Sequence, residues 1–465
     1  MMSTAGTDEV AADGTPGPRQ RIGWPVWSWA LWDWGSAAFN AVITTFVFSV
    51  YITDPDVFGD GASSQLGWAL AGAGVLIALF APVLGQGADR SGRRTFWLAI
   101  NTYLVVLVSA GLFFVRPEAS YLWLGLVLLA VGNVFFEFAS VNYNAMLNTI
   151  STPQNVGRIS GLGWGLGYLG GIVLLTIVVV GFVNPDSWFG IENDDALGVR
   201  LAMLLCAGWT LAFSLPVILT LRDDPAGRRG SSEPKPGVVG AYRLLFASIG
   251  RLWRADRAAV YFLAASAVFR DGLAGVFTFG AVIAARAFDF SDSLVIVFAI
   301  AANVVAGVAT IVAGRVDDAI GPKRIIVFSL VSMCLLGLLI FALHDQGKVI
   351  FWICGLALCI FVGPVQSASR TFLARIIPAG QEGQIFGLYA TTGRAVSFLA
   401  PAAFATALWL GQRVTGDPLR EVQHWGILGI VLVLAVGLAL LVPVRQYVSP
   451  DSALAAPESS DPPGR

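Results

Sequence analysis

The stretch 85-GQGADRSGRR-94 returns, altered but recognisable, as 314-GRVDDAIGPKR-324. In both, a glycine precedes an aspartate by four residues, that aspartate precedes a second glycine by three, and basic residues follow. Gly85, Asp89 and Gly92 therefore correspond to Gly314, Asp318 and Gly321. Two further pairs keep the same order along the chain: 33-DWGSAAF-39 with 271-DGLAGVF-277, and 157-GRISGL-162 with 383-GQIFGL-388. Matched pairs in one order mark a chain built from two parallel copies of one unit.

What lies between the repeats is strongly apolar. Of 465 residues 56% are hydrophobic and only 13% charged, and the mean hydropathy is +0.72. Soluble domains carry about 25% charged residues, so the composition argues for a membrane protein. A bilayer span needs about 20 apolar residues. Twelve runs qualify, at roughly 27–52, 65–87, 95–115, 120–147, 158–183, 199–221, 258–286, 292–314, 325–343, 349–374, 384–411 and 424–444. Basic residues gather in one set of joints (Arg90, Arg93 and Arg94; Arg158; Arg222 to Arg257; Arg315, Lys323 and Arg324). Acidic residues such as Asp54, Asp60, Glu192 and Asp289 fill the alternate joints. The positive-inside rule then places both termini and the central joint in the cytoplasm of a multi-pass protein of the cell membrane.

The expected organisation follows from these runs. Residues 1–26 form a disordered cytoplasmic tail, 27–221 a first six-helix bundle, 258–444 a second, and 445–465 a second disordered tail. The joint 222–257 begins as a Pro/Gly/Ser linker and ends in an amphipathic helix. There Tyr242, Leu245, Phe246, Ile249 and Trp253 recur at helical spacing beside Arg243, Arg251 and Arg254. The tryptophans Trp24, Trp27, Trp29, Trp32 and Trp34 read mostly as interfacial anchors.

Several functions are excluded. A net charge of −1 gives no basis for binding nucleic acid. Cys206, Cys334, Cys354 and Cys359 lie in apolar runs and read as small core residues. His344 and His424 are far apart in the sequence, so no metal site is legible. The glycines of 160-SGLGWGLGYLGG-171 lack the strand and the Lys–Ser/Thr ending of a phosphate cradle, and read as devices for close helix approach. With no nucleophile–base pair and no nucleotide fingerprint, neither enzyme activity nor a cofactor is expected.

A charge at mid-membrane costs about 2.5–3.5 kcal/mol on insertion scales, so such residues face a bundle interior. On the first span Asp33, Ser36, Ala37, Asn40 and Thr44 form one polar stripe. Span seven repeats it from Asp271, next to Arg270. Span four stacks Asn133, Glu137, Ser140 and Asn144; span ten carries Gln366 and Arg370; span eleven carries Arg394. Trp164 and Tyr168, four apart, can form an aromatic wall. Arg270–Asp271 has two readings, an internal ion pair or a gating and solute-binding pair. Asp33 and Arg394 likewise read as either structural or functional.

The 85–94 stretch resembles the loop signature G-x-x-x-D-R-x-G-R-R of the major facilitator superfamily. Within it, WDWGSAAFN, 160–171, 269-FRDGLAGVFTFG-280 and 386-FGLYATTGRAVSFLAP-401 resemble the family of autophagy-related vacuolar amino-acid effluxers, over nearly all of 28–442. The resemblance implies an all-α fold of twelve spans in two pseudo-symmetric six-helix bundles. It implies that spans one, four, seven and ten line a central cavity. It implies that Gly85, Asp89, Arg90, Gly92, Arg93 and Arg94 act as a conformational latch, with Asp318 and Gly321 in the second copy. Ala319 stands where the second copy would need its arginine, so that latch is expected to be weaker.

The function implied is alternating-access secondary transport of a small polar solute, amino acids foremost and outward, by a monomer with a proton as the expected coupling ion. Mixed carboxylates and guanidiniums suit a zwitterion, because arginine offers paired donors to a carboxylate and an acid can meet an ammonium. Two alternatives stay open: an exporter of drugs or amphiphilic metabolites, and a non-transporting scaffold or solute sensor on the same fold.

Overall fold

The computed structural model describes residues 22–183, 188–189, 194–223, 243, 247, 250, 253–254, 257–418 and 421–445. Most of both terminal tails, most of the 222–257 joint and Tyr242, Leu245, Phe246, Ile249 and Arg251 of its expected amphipathic helix lie outside these residues. Trp253 is helical and sits 5.5 Å from the Tyr261 ring, with the Arg257 guanidinium 5.7 Å above it.

Among the described residues, twelve helices are long and apolar enough to cross a bilayer. They are α1 (Trp24–Ile52), α2 (Ala62–Ser91), α3 (Arg94–Phe114), α4 (Ala119–Ile150), α5 (Val156–Val183), α6 (Leu197–Thr220), α7 (Arg257–Ala287), α8 (Leu294–Ile320), α9 (Pro322–Ala342), α10 (Lys348–Ile376), α11 (Glu382–Thr415) and α12 (Gln423–Leu441). Lipid offers no partner to a backbone N–H or C=O, so each run closes its own hydrogen bonds as a helix. Pro82, Pro216 and Pro364 are carried inside α2, α6 and α10.

Helices α1–α6 pack as one bundle and α7–α12 as another. The buried apolar side chains largely follow this division, although Ile77, Phe138 and Val141 of the first bundle join the second bundle's cluster. One cluster holds Phe39, Phe48, Leu126 and Met203, and another holds Phe262, Phe269, Met333 and Phe372. The bundles meet chiefly where α2 packs on α11 and α5 on α8, with α10 against α5 and α11 against α4 beside them.

Helices α1, α4, α5 and α11 depart from the expected regular spans; α4 is interrupted at Met146, and α5 ends in a π-helical segment, Val179–Val183. In α1 the segment Ala38–Phe46 is a π-helix, so the stripe that begins at Asp33 shifts register before Thr44. In α11 the helix stops at Ala395, turns through Val396–Phe398 and restarts at Leu399.

The signature stretch is also placed differently from its reading as a joint. Helix α2 runs on through Asp89 and Arg90 to Ser91, and α8 runs through Asp318 to Ile320. The chain breaks only at Gly92 (φ 62°) and Gly321 (φ 88°), left-handed conformations that glycine adopts without steric cost. The charged turn is thus the helix end itself.

Candidate functional site

The two signature copies dock crosswise. Gly85 on α2 lies against the backbone of Gly383 on α11, and Gly314 on α8 against Gly157 and Gly161 on α5. A Cβ on Gly314 would stand 2.6 Å from the Gly157 carbonyl oxygen, and one on Gly383 would stand 2.6 Å from that of Gly85. Only glycine permits such approach. Each copy's GxxxD turn therefore meets the other copy's 157–162 or 383–388 motif, across the bundle boundary.

The aspartates complete the contact. Asp89 accepts from the backbone N–H groups of Gly383 and Gln384, both at 2.9 Å. Asp318 accepts from Gly157 N at 2.6 Å and Arg158 N at 2.9 Å. Both carboxylates thus sit at a helix N-terminus, where free N–H groups and the helix dipole favour an anion. Arg94 donates to Asp89 from Nε and Nη2 (3.1 and 2.7 Å) and also to Glu382. Arg90, expected in the latch, is exposed, and Arg94 is the arginine that binds Asp89. Arg93 is exposed too and lies over Phe96 at 5.8 Å.

Behind the latches charged residues meet between the bundles in two separate contacts. Arg370 of α10 is 3% exposed and is held almost wholly by the other bundle. Its Nε donates to Ser160 Oγ (3.0 Å), Nη2 to Ser160 O (2.7 Å) and Nη1 to Asn144 Oδ1 (3.1 Å), with Asp33 Oδ2 at 3.5 Å. Its guanidinium lies 4.9 Å from the Trp29 ring, 5.6 Å from Tyr143 and 5.7 Å from Trp164. Tyr143 donates to Asp33 at 2.8 Å. Gln366, a turn earlier on α10, is half-buried.

A second crossing joins α11 to α4. Arg394 donates to Glu137 at 3.1 Å and to Asn133 at 3.2 Å, and both partners of the ion pair keep some exposure (35% and 19%). Arg270 stands apart. It donates once, to Tyr389 O at 2.9 Å, and lies on the Tyr389 ring at 3.7 Å. Among the described residues no acid pairs with it within 4 Å. Asn40 is exposed, and its carbonyl accepts from Thr44 and Thr45 within the π-helical turn. Trp164 and Tyr168 lie 6.2 Å apart, and Tyr168 stacks on Phe277 of α7.

Asp271 does not join this group. Its carboxylate accepts from Ala400 N at 2.6 Å and caps the restarted half of α11. Arg270 and Asp271 are neighbours in sequence that bind different partners, and no ion pair forms between them. The tryptophan reading also changes. Trp24 and Trp27 are exposed, whereas Trp29 and Trp32 are buried, because each indole N–H finds an internal acceptor (Tyr143 O and Thr102 Oγ1). The two histidines, distant in sequence, stack at 3.8 Å at the end of the second bundle remote from the latches.

Sequence reasoning missed Glu382, Tyr143, Ser160, Asp317 and Arg375. Glu382 was legible as an acid directly before the Gly383 motif. Tyr143 sits beside Asn144 in the span-four stripe. Asp317 is buried with neither oxygen hydrogen-bonded, 3.6 Å from Arg375; only folding shows that the position one before Asp318 points inward.

Two six-helix bundles, latched crosswise at one end around a charged interior, define a transporter of the major facilitator superfamily, a multi-pass membrane protein and not an enzyme. Solved structures of that fold agree. The proton:xylose symporter XylE bound to 6-bromo-6-deoxy-D-glucose matches with a TM-score of 0.66 at 15% identity, over 89% of this chain and 94% of its own. FucP in the outward conformation matches at 0.65 and 14% identity, over 91% and 99%. The family described as "Vacuole effluxer Atg22 like" matches residues 70–447, and the chain belongs to it. An uncharacterized MFS-type transporter, YxiO, from Bacillus subtilis (strain 168) is 24% identical over 91% of this chain and 95% of its own. Autophagy-related protein 22-1 of Penicillium rubens is 27% identical over 53% of this chain, which spans 43% of that longer protein. The chain is a secondary transporter.

Proposed function

We propose that this transporter moves small zwitterions, amino acids foremost, outward across the cell membrane, as a monomer coupled to protons. The observation that carries the proposal is the meeting of opposite charges from both bundles: Arg394 with Glu137, and Arg370 with Asp33 and Asn144. Arg270, with a single hydrogen bond, supplies free donors for a carboxylate. Glu137 and Asp33 supply acceptors for an ammonium or a proton. The family description, which names effluxers, supports the outward direction. The basic joints lie at the latched end, and the positive-inside rule puts that end in the cytoplasm. The state described here is then closed to the cytoplasm.

The test is a screen of labelled amino acids in proteoliposomes, with and without a pH gradient. The expected result is saturable uptake that the gradient stimulates and that Glu137→Gln and Arg270→Ala each reduce at least tenfold. Movement of no amino acid by the wild type, or unchanged movement by both variants, contradicts the proposal.

A further inference from the structure

The surroundings of Arg370 form a cation box built entirely by the first bundle. Trp29 and Asp33 come from α1, Tyr143 from α4 and Trp164 from α5. Aromatic faces and a carboxylate together are the chemistry that recognises an ammonium or a guanidinium. The box is also held in shape without Arg370. Trp29 stacks on Tyr143 at 4.3 Å with 7° between the planes, and its indole N–H donates to Tyr143 O at 3.0 Å. Trp32 backs Tyr143 from another side at 4.3 Å, and the Tyr143 hydroxyl fixes Asp33. Gly163 on α5 leaves the space: a Cβ there would stand 2.8 Å from both Asp33 and Trp29.

Arg370 belongs to the second bundle. When the bundles rock and the latched end opens, α10 carries its guanidinium out of the box. A carboxylate that loses its buried partner costs several kcal/mol unless another cation replaces it.

We propose that the Trp29–Asp33–Tyr143–Trp164 box is the solute's cation subsite, filled by Arg370 in this state and by the ammonium or guanidinium of the solute when α10 withdraws. Arg370 thus acts as a tethered substitute for the substrate's charged head. Because the solute's cation can enter only the state that Arg370 has left, it stabilises that state selectively, as a ligand must do to drive a conformational change. The solute class that follows is small molecules bearing an amine or guanidine. Dicarboxylates and neutral sugars fall outside it. The proposal rests on the transport reading for its physiological meaning, but the chemistry of the box is testable alone.

The experiment uses full-length protein in nanodiscs, with methylguanidinium as probe and acetamide as the neutral control. Millimolar methylguanidinium is expected to raise the melting temperature of Arg370→Ala saturably, with no such effect from acetamide. Adding Asp33→Asn should weaken the half-saturating concentration at least tenfold. Arg370→Gln serves as a less disruptive second variant. In wild-type proteoliposomes, agmatine should compete with a transported amino acid while succinate does not. Failure of methylguanidinium to stabilise either Arg370 variant, equal stabilisation with Asp33→Asn, or competition by succinate in place of agmatine overturns the proposal. Stabilisation without any transport would support the box and overturn the transport reading instead.

Discussion

At the α2–α11 crossing, Asp89 caps Gly383 and Gln384 while Arg94 braces it and also reaches Glu382. At the α8–α5 crossing, Asp318 caps Gly157 and Arg158 in the same way, but the residue that matches Arg94 does not brace it. Lys323, the counterpart of Arg94, donates instead to Val442 O on the far side, at 2.7 Å. Arg375 of α10 stands 3.8 Å from Asp318 and 3.6 Å from Asp317 instead. The backbone halves of the two latches are alike and the charged halves are not. Glycine and aspartate therefore set the docking, and the cation sets how firmly each dock holds.

The difference can be broken or sharpened by mutation, read as the distance between spin labels at the exposed positions Arg90 and Ala379 for the first latch, or Gln154 and Ile320 for the second. The largest effect is expected for Asp89→Ala. It strands Arg94 between fewer partners and frees two helix N–H groups, a loss of about 3–5 kcal/mol for a broken buried pair. The label distance at the first latch should lengthen in most molecules. A population that stays closed would mean that the glycine contact alone holds the latch. Next come Gly85→Val and Gly314→Val. Both insert a side chain into backbone contact, so each should open its own latch by a similar amount, about 1–3 kcal/mol. Unequal opening would show that the two crossings differ in backbone as well as in charge.

Removing the cations should then separate the copies. Arg94→Ala loses charge-assisted hydrogen bonds worth about 1.5–3 kcal/mol and should loosen the first latch. Lys323→Ala should leave the second latch distance unchanged, within about 0.5 kcal/mol. The smallest effect is expected for Ala319→Arg, because the matching Arg90 is exposed; a clear tightening would restore the part for Arg90 that the signature implies.

The fold was legible because its cues are repeated. Gly85/Gly314, Asp89/Asp318 and Gly92/Gly321 each mark the same place twice, and apolar length alone delimited the spans. The site was legible only in part. Arg370, Arg394, Glu137 and Asn144 stood out because a charge or amide in lipid needs a reason, and they do meet. Their partners did not stand out. Trp29 and Tyr143 look like ordinary membrane aromatics until the α1–α4 contact stacks them. Asp33 and Asp271 match in sequence yet differ in use, because α11 breaks at Val396–Phe398 where its counterpart α5 runs on, and so Asp271 finds a helix start to cap. A linear pattern shows which positions are equivalent; it does not show which neighbour has a free N–H.

The most direct test of alternating access through the latched end is counterflow of a labelled amino acid with the first latch locked. In a cysteine-free background, Gln86→Cys and Gln384→Cys, whose native side chains hydrogen-bond at 3.2 Å, would be joined by a short reducible bis-thiosulfonate. Counterflow should be lost on cross-linking and return on reduction. Undiminished counterflow through the locked protein would contradict the account.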